Sequence, residues 1–216
     1  QDSPLAAFVV AGRPTAAGVI PRRVRDLAGA RIAGSPEKSA LARELVAHLR
    51  ETGGEPPVLV DVPYSAGMGA LARGEVDAVA DFIDLLPRMR RRIPDTEVVG
   101  LRLADDGVDR YGSGLVASDR FLAVPGAAAR LVDALQEAWD ATSADPHAGI
   151  AAFRRRYPGV EAAVIAECWR ETERLVFAGE PGSLDPVRWQ ATLARSATIH
   201  GLTPPDPAST FSLIRG

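Results

Sequence analysis

Short apolar runs alternate with segments of helical periodicity through the first half of the chain. Five runs rich in β-branched and small apolar residues predict strands at Ala7–Ala11, Arg31–Gly34, Val58–Val62, Ala78–Phe82 and Glu97–Leu103. Apolar residues from Leu41 to Leu49 recur at three-to-four spacing and predict a helix that ends before Gly53. A shorter helix is predicted around Ala70 and Leu71. This alternation is typical of βαβ units in a mostly parallel sheet.

The second half of the chain predicts helices alone, after one further extended piece at Gly114–Ser118. Asp145-Pro146 and Asp185-Pro186 each offer a side-chain acceptor at an N-cap and a proline at the first helical position. Apolar residues within 160–178 recur at helical spacing and predict a continuous buried stripe. A second stripe is predicted one helix earlier, at Leu131, Val132, Leu135 and Trp139.

The balance of charges argues against a polyanionic partner. The 216 residues carry 25 Lys and Arg against 28 Asp and Glu, for a net charge of −3. We therefore expect no nucleic-acid partner, because such proteins present a basic surface. The basic runs Arg88–Arg92 and Arg154–Arg156 are interpreted instead as helix ends, where arginine complements the helix dipole.

The few cysteine and histidine residues predict neither a metal nor a cofactor. The single cysteine, Cys168, excludes an internal disulfide and a cysteine-based metal cluster, and it lies on the apolar stripe of its helix. His48, His147 and His200 lack metal-ligand spacing and have no acidic partner in register. We expect packed or surface roles for all four residues.

The turn from Ile32 to Ser39 joins a predicted strand to a predicted helix. Free backbone N–H groups at a helix N-terminus suit an anionic group, and Ser35, Lys38 and Ser39 are placed to contact one. The alternative is that Ser35 only caps the helix, with Pro36 at its first position.

Three aspartates surround the fourth predicted strand. Asp81 and Asp84 follow the apolar run Ala78–Ala80 at the end of a strand, where ligands bind in open α/β sheets. Asp77, before that run, is assigned to a turn. Asp81 is the candidate for facing a cleft.

The order of several motifs is more informative than any one of them. They are Asp26–Gly34, Ser39, Ala70–Ala78, Gly107–Ser118, Asp145-Pro146 with Pro158, Gly182–Trp189 and Gly201-Leu202. This series resembles the second lobe of periplasmic solute-binding proteins of the sulfonate, nitrate, taurine and thiamine-pyrimidine (SsuA/THI5-like or NMT1-like) family. The resemblance extends from about Ser3 to Thr210.

The resemblance implies an α/β fold of the type II periplasmic-binding-protein class: a βαβ lobe with a parallel-rich sheet, followed by C-terminal helices. Residues 1–12 would be a hinge or first-lobe strand, and residues 13–110 the second lobe. Residues 111–216 would provide a return strand and helices that pack on the first lobe. The chain departs from the family by starting where most of the first lobe would end, so we expect an upstream segment or a second chain to supply that lobe.

The resemblance also implies a function, a site and a location. The protein would capture a small polar or anionic molecule for an ABC permease, outside the cytoplasm in the periplasm or at the cell surface. The ligand contacts would be Ser35, Lys38, Ser39, Asp81 and Tyr111, with hinge strands at Ala7–Ala11 and Gly114–Ser118.

Other functions remain open at the level of sequence. The alternatives are an enzyme on the same fold, desulfinase-like or pyrimidine-synthase-like, and a biosynthetic accessory protein, which would be compatible with a cytoplasmic location. No residue set forms a nucleophile–base pair, which favours a binding protein without catalytic residues over an enzyme.

Overall fold

The computed structural model describes residues 3–34, 39–178 and 183–210, without the side chains of Ala208 and Ser209. The chain divides into two compact units. The α/β unit comprises Ser3–Asp109 and Ile199–Leu202, and the helical unit comprises Arg110–Thr198 and the chain from Thr203 onward.

A mixed sheet of five strands forms the centre of the α/β unit. The strands are β1 (Leu5–Val10), β2 (Arg31–Ala33), β3 (Val58–Val60), β4 (Ala78–Phe82) and β5 (Val98–Arg102), in the spatial order β3-β2-β4-β1-β5. All five begin within two residues of the predicted positions. The β-branched and small apolar runs therefore located the strands correctly.

Strand direction confirms a parallel-rich sheet with one reversed strand. β2 pairs in parallel with both β3 and β4, whereas β1 is antiparallel to β4 and to β5. Four strands consequently share one direction, and β1 runs against them near the middle of the sheet. The interior position of β1 explains why its apolar residues form an unbroken run, since Leu5–Val9 is buried on both faces.

Helices cover both faces of this sheet. They are α1 (Ala40–Glu51), α2 (Gly67–Arg73) and α3 (Leu86–Arg90), with 3₁₀ turns at Val24–Leu27, Tyr64–Ala66, Ile83–Leu85 and Ala104–Asp106. On one face Leu5, Ala7 and Val9 pack in a core cluster with Leu45 and Leu49 of α1. The predicted apolar face of α1 is thus confirmed.

A close approach distinguishes the other face of the sheet. An ideal Cβ placed on Gly100 of β5 would lie 2.3 Å from Cδ1 of Ile83 and 3.3 Å from Cδ2 of Leu86. Glycine at this position therefore lets the turn after β4 pack directly against the backbone of β5.

The helical unit contains α4 (Asp119–Leu122), α5 (Ala127–Ala144), α6 (Pro146–Arg156), α7 (Ala162–Val176), most of α8 (Pro186–His200) and α9 (Pro207–Thr210). Both predicted N-caps are confirmed. The Asp145 carboxylate accepts the N–H of Ala148 at 3.1 Å, and the Asp185 carboxylate accepts the N–H of Arg188 at 2.7 Å.

Two predictions for the second half of the chain are wrong. Gly114–Ser118 forms no strand, because no described strand pairs with it, and its residues are exposed. The stripe from Leu131 to Trp139 is not buried: α5, described over its full length, buries none of its residues. The stripe of α7 is buried only at Val164, Leu175 and Val176.

Candidate functional site

The carboxyl ends of β2, β3 and β4 meet at one edge of the sheet because these strands share a direction. This edge is where open α/β sheets bind ligands. Three segments lie there: Gly34 with Ser39, the N-cap of α1, the 3₁₀ turn Tyr64–Ala66 and the 3₁₀ turn Ile83–Leu85. We refer to these segments and Asp81 as the carboxyl-edge site.

Ser39 lies at this edge as the N-cap of α1. Its hydroxyl oxygen accepts the N–H of Ala42 at 3.1 Å, which satisfies one of the helix's free N–H groups. Gly34 brings β2 and α1 together, since it has φ +146° and an added Cβ would lie 2.8 Å from Cβ of Ala42. Ser35 and Lys38 lie outside the described residues.

Asp81 and Tyr64 form a hydrogen-bonded pair at the carboxyl edge. The Tyr64 hydroxyl donates to Oδ2 of Asp81 at 2.8 Å, and the backbone N–H of Phe82 donates to Oδ1 at 2.8 Å. Asp81 is 2% exposed, whereas Tyr64 is 65% exposed. The carboxylate therefore lies beneath the tyrosine, whose ring is presented to solvent.

Burial and nearby charges set the ionisation of this pair. Burial raises the pKa of Asp81 above its usual value, although the Phe82 N–H, the Tyr64 hydroxyl and the charge of Arg92 act in the opposite direction. Burial and the Asp81 hydrogen bond raise the pKa of Tyr64 to about 12, against the smaller lowering effects of Arg92 and Arg88. Tyr64 consequently remains a neutral donor at neutral pH.

Tyr64 was not identified from the sequence. The signal available was its position: it lies in Pro63-Tyr64-Ser65, four residues after β3, at the same sheet edge as Asp81. Asp84, the other carboxylate singled out there, is half-buried in the turn that follows β4.

Asp77 lies at the opposite end of β4 and has a structural role, as the sequence predicted. Its carboxylate accepts from the Arg31 guanidinium at 2.8 Å and from the backbone N–H groups of Arg31 and Ala16. Burial raises the pKa of Asp77, but the hydrogen bonds and charge of Arg31 outweigh it and lower the pKa overall. Asp77 thereby ties the loop after β1 to the start of β2.

The expectation that His48 has no acidic partner is wrong. Its Nε2 lies 2.9 Å from Oδ2 of Asp106, and both side chains are buried. Arg25 donates to the same carboxylate through Nε at 2.6 Å and through its backbone N–H at 3.0 Å. The pair is separated by 58 residues in sequence, so helical or strand spacing could not reveal it.

Tyr111 belongs to the helical unit, where it holds the start of α8. Its hydroxyl accepts the N–H of Asp185 at 2.7 Å, and its own N–H donates to Oγ1 of Thr192 at 3.1 Å. The guanidinium of Arg188 lies over its ring, 4.4 Å from the centroid. The structure thus brings Ser39 and Asp81 to the same sheet edge and assigns Tyr111 to the other unit.

The fold and this edge define the class of protein. Four strands of one direction with one reversed interior strand form a lobe of the type II periplasmic-binding-protein fold, as the solved structures below also show. The family model described as NMT1/THI5 like matches residues 15–149. The chain belongs to this family.

Solved structures show the same fold. The periplasmic aliphatic sulphonate binding protein SsuA from Escherichia coli matches with a TM-score of 0.71 at 18% identity, over 99% of this chain and 67% of that protein. The alkanesulfonate-binding protein SsuA from Xanthomonas axonopodis pv. citri, bound to MOPS, matches with a TM-score of 0.61 at 20% identity, over 95% of this chain and 68% of that one. The chain thus spans about two thirds of the length of these proteins.

Comparison with curated proteins gives no significant sequence match. Within residues 3–34, 39–178 and 183–210, no helix combines the length and apolar character needed to cross a bilayer.

Proposed function

We propose that the protein is a solute-binding protein that delivers a small polar or anionic molecule to an ABC permease from outside the cytoplasm. Family membership and the type II fold support this proposal. The observation that carries it is the carboxyl-edge site, where a capped helix start, an exposed tyrosine and a buried carboxylate lie at the ends of parallel strands.

The ligand is proposed to be of the sulfonate, nitrate and taurine type or of the thiamine-pyrimidine type. The sulfonate-binding proteins that share the fold support the first type. Ser35, Lys38 and Ser39 are proposed contacts from the turn before α1, with Asp81 from the end of β4 and Tyr111 from the helical unit. Backbone N–H groups at the start of a 12-residue helix favour a negatively charged or polar ligand group.

The binding role is tested by isothermal titration calorimetry in a sulfonate-free buffer. The probes are ethanesulfonate, taurine, nitrate, sulfate and a 4-amino-5-hydroxymethylpyrimidine. We expect one of them to bind with 1:1 stoichiometry. The bound compound is then released and weighed by mass spectrometry, because a binding protein returns its ligand unchanged whereas a desulfinase-like or synthase-like enzyme does not.

We further propose that an upstream segment or a second chain covers apolar side chains of the helical unit. Val116 is 98% exposed, Leu115 is 63% exposed and Val187 is 76% exposed, and these are the side chains that such a segment or chain would cover. Intact and native mass spectrometry of protein purified from its natural source tests this idea. We expect a mass above 22.8 kDa, and a lone 22.8 kDa monomer would contradict the idea.

A further inference from the structure

The Tyr64 ring is presented to solvent at the carboxyl edge of the sheet. Tyr64 follows β3, and its hydroxyl lies 2.8 Å from Oδ2 of Asp81 on β4. Because β2 lies between β3 and β4, this hydrogen bond joins segments from the two strands on either side of β2. Ligands bind at this edge in open α/β sheets. The ring, in a residue that is 65% exposed, is therefore accessible at a ligand-binding position.

The backbone at Tyr64 is held from both sides. Pro63, whose ring restricts φ, comes directly before it. The 3₁₀ turn Tyr64–Ala66 continues into α2, where Gly67 and Met68 are buried. An ideal Cβ on Gly67 would lie 3.5 Å from Cγ1 of Val79, so the start of α2 lies close against β4. The backbone from which the tyrosine projects is thus supported by packing, as a binding residue requires.

The hydroxyl of Tyr64 has no proton left for a ligand. A phenol carries a single O–H, and Tyr64 donates it to Asp81. The pKa of Tyr64, raised to about 12 by burial and by this hydrogen bond, keeps the proton in place at neutral pH. Tyr64 consequently offers no donor to an oxyanion. It presents the face of its ring, which suits flat rings and apolar chains.

Asp81 is buried at a cost to the fold. It is 2% exposed, and burial disfavours the charged carboxylate and raises its pKa. Its two oxygens accept from the Tyr64 hydroxyl and from the Phe82 N–H, so it offers little surface to a ligand. The fold gains little buried surface from Tyr64 in return. What the pair provides is an exposed ring in a fixed orientation.

We propose that the ring of Tyr64 contacts the carbon skeleton of the ligand, and that Asp81 is a positioning residue that orients the ring without touching the ligand. This inference rests on the proposed function and narrows it. Nitrate and sulfate are excluded as the main ligand, because they have no carbon skeleton for the ring to contact. Tyr64 also replaces Asp81 as the residue that touches the ligand at this end of β4.

The experiment compares sulfonates that share a head group and differ in their carbon skeleton. The probes are methanesulfonate, butanesulfonate and benzenesulfonate, with 4-amino-5-hydroxymethylpyrimidine for the other ligand type. Tyr64→Ala removes the ring. By isothermal titration calorimetry we expect it to weaken the tightest-binding of the three larger probes by about 5- to 10-fold, as expected for a lost aromatic contact. The affinity for methanesulfonate should stay within about 2-fold of wild type, because this probe barely reaches the ring.

Tyr157→Ala is the matched control. Tyr157 is also about half exposed, but it lies in the helical unit, where its ring packs against Phe153 with the ring centroids 4.8 Å apart. We expect this variant to bind every probe as wild type does. Circular dichroism melts verify that all variants remain folded.

The outcomes separate this inference from the proposed function. If wild type binds only nitrate, sulfate or methanesulfonate, the ring contact is overturned and the binding role stands. The same holds if Tyr64→Ala leaves the affinity for the larger probe unchanged, or weakens methanesulfonate equally. If wild type binds none of the probes, the proposed function fails and the inference fails with it.

A double-mutant cycle tests the positioning role of Asp81. Asp81→Asn removes the charge, and Tyr64→Phe keeps the ring but removes the hydroxyl that Asp81 anchors. If Asp81 acts through Tyr64, Asp81→Asn weakens binding of the larger probe in the wild-type background and has little further effect in the Tyr64→Phe background. Equal effects in both backgrounds, or an equal loss for methanesulfonate, would show that Asp81 acts on the ligand directly or on the fold, and would overturn the positioning role.

Discussion

Asp106 carries a buried carboxylate that joins three separate parts of the α/β unit. Its oxygens receive hydrogen bonds from Arg25, in the 3₁₀ turn before β2, and lie 2.9 Å from Nε2 of His48 on α1. Burial raises the pKa of Asp106, but the hydrogen bonds from His48 and Arg25 and the charge of Arg25 outweigh it, so the pKa lies below its ordinary value. The native state is therefore stabilised by the ionised form.

This lowered pKa predicts a loss of stability in acid. A group whose folded-state pKa is depressed stabilises the native state fully above its unfolded pKa, about 3.9 for aspartate. That contribution is lost as pH falls through the lower folded-state pKa. We expect the urea-unfolding free energy of wild type to drop below about pH 4, with Asp106 and the similarly shifted Asp77 both contributing.

Asp106→Asn isolates the contribution of one carboxylate. We expect it to lower the unfolding free energy at pH 7 by about 2 kcal/mol, because it weakens a buried charge-assisted network. The difference from wild type should shrink as the pH falls through the lowered folded-state pKa of Asp106. Asp105→Asn is the matched control, since the Asp105 side chain is 69% exposed and lies 3.8 Å from Arg102. A pH-independent difference for Asp106→Asn would contradict the predicted titration.

Ser39 has a role in stability that is independent of any ligand. Because its hydroxyl caps α1, Ser39→Ala should lower the unfolding free energy by about 1 kcal/mol in ligand-free protein. Ser39→Asn restores a capping acceptor and should recover most of the loss. If the alanine variant melts at the wild-type temperature, Ser39 does not stabilise the helix. Contact with a ligand would then be the one role left for its hydroxyl.

The site residues differed in how far sequence could reveal them. Asp81 could be singled out because it lies near the end of a short apolar strand, and ligand-binding positions follow such strands in open α/β sheets. Tyr64 was missed because nothing local marks a tyrosine hydroxyl that bonds a carboxylate 17 residues away. The run Arg88–Arg92 was interpreted as a helix end, and Arg88 and Arg90 do lie in the last turn of α3.

At the scale of elements, Gly100 controls how closely the turn after β4 packs on β5. Gly100→Ala would place a Cβ 2.3 Å from Cδ1 of Ile83, which is nine-tenths buried. Such overpacking should lower the unfolding free energy by roughly 2 kcal/mol. The measurement is chemical denaturation of the single variant.

Ile83→Val provides the matched test, because it deletes the very atom that the new Cβ would meet. We expect Ile83→Val to destabilise the wild type but to destabilise Gly100→Ala much less, or to stabilise it. Additive effects of the two substitutions would show that the clash is relieved elsewhere, for example at Leu86, whose Cδ2 is 3.3 Å from the added Cβ position.

The helices and strands of the first half were predictable because the apolar residues that define each pattern in the sequence are the residues that the fold buries. The strands of the α/β unit pack inside one sheet with helices on both faces, so apolar runs and helical spacing coincide with burial. In the second half, N-caps at Asp145 and Asp185 depend only on neighbouring residues and were also predictable. The structures of Gly114–Ser118 and of the apolar stripe of α5 could not be predicted in this way. A strand or a buried helix face needs a partner from elsewhere in the fold, and local sequence does not show whether that partner is present.

At the scale of the whole molecule, the two units differ in how much they bury. Leu5–Val9 of β1 is at most 1% exposed, and Ala78 of β4 is fully buried. The helical unit buries Val164, Leu175 and Val176 on α7, whereas α5 buries none of its 18 residues. Backbone hydrogen bonds open at a low free energy in regions that have few buried apolar contacts.

Hydrogen exchange should therefore separate the two units in the isolated 216-residue protein. We expect amides of β1 and β4 to exchange only through global unfolding, with slopes in low urea that match the equilibrium unfolding slope. Amides of α5 should exchange orders of magnitude faster and with little dependence on urea, since their opening exposes little new surface. Equal protection of α5 and β4 would contradict this prediction. It would mean that the exposed apolar side chains are covered in solution, and the concentration dependence of α5 protection would then show whether a second copy covers them.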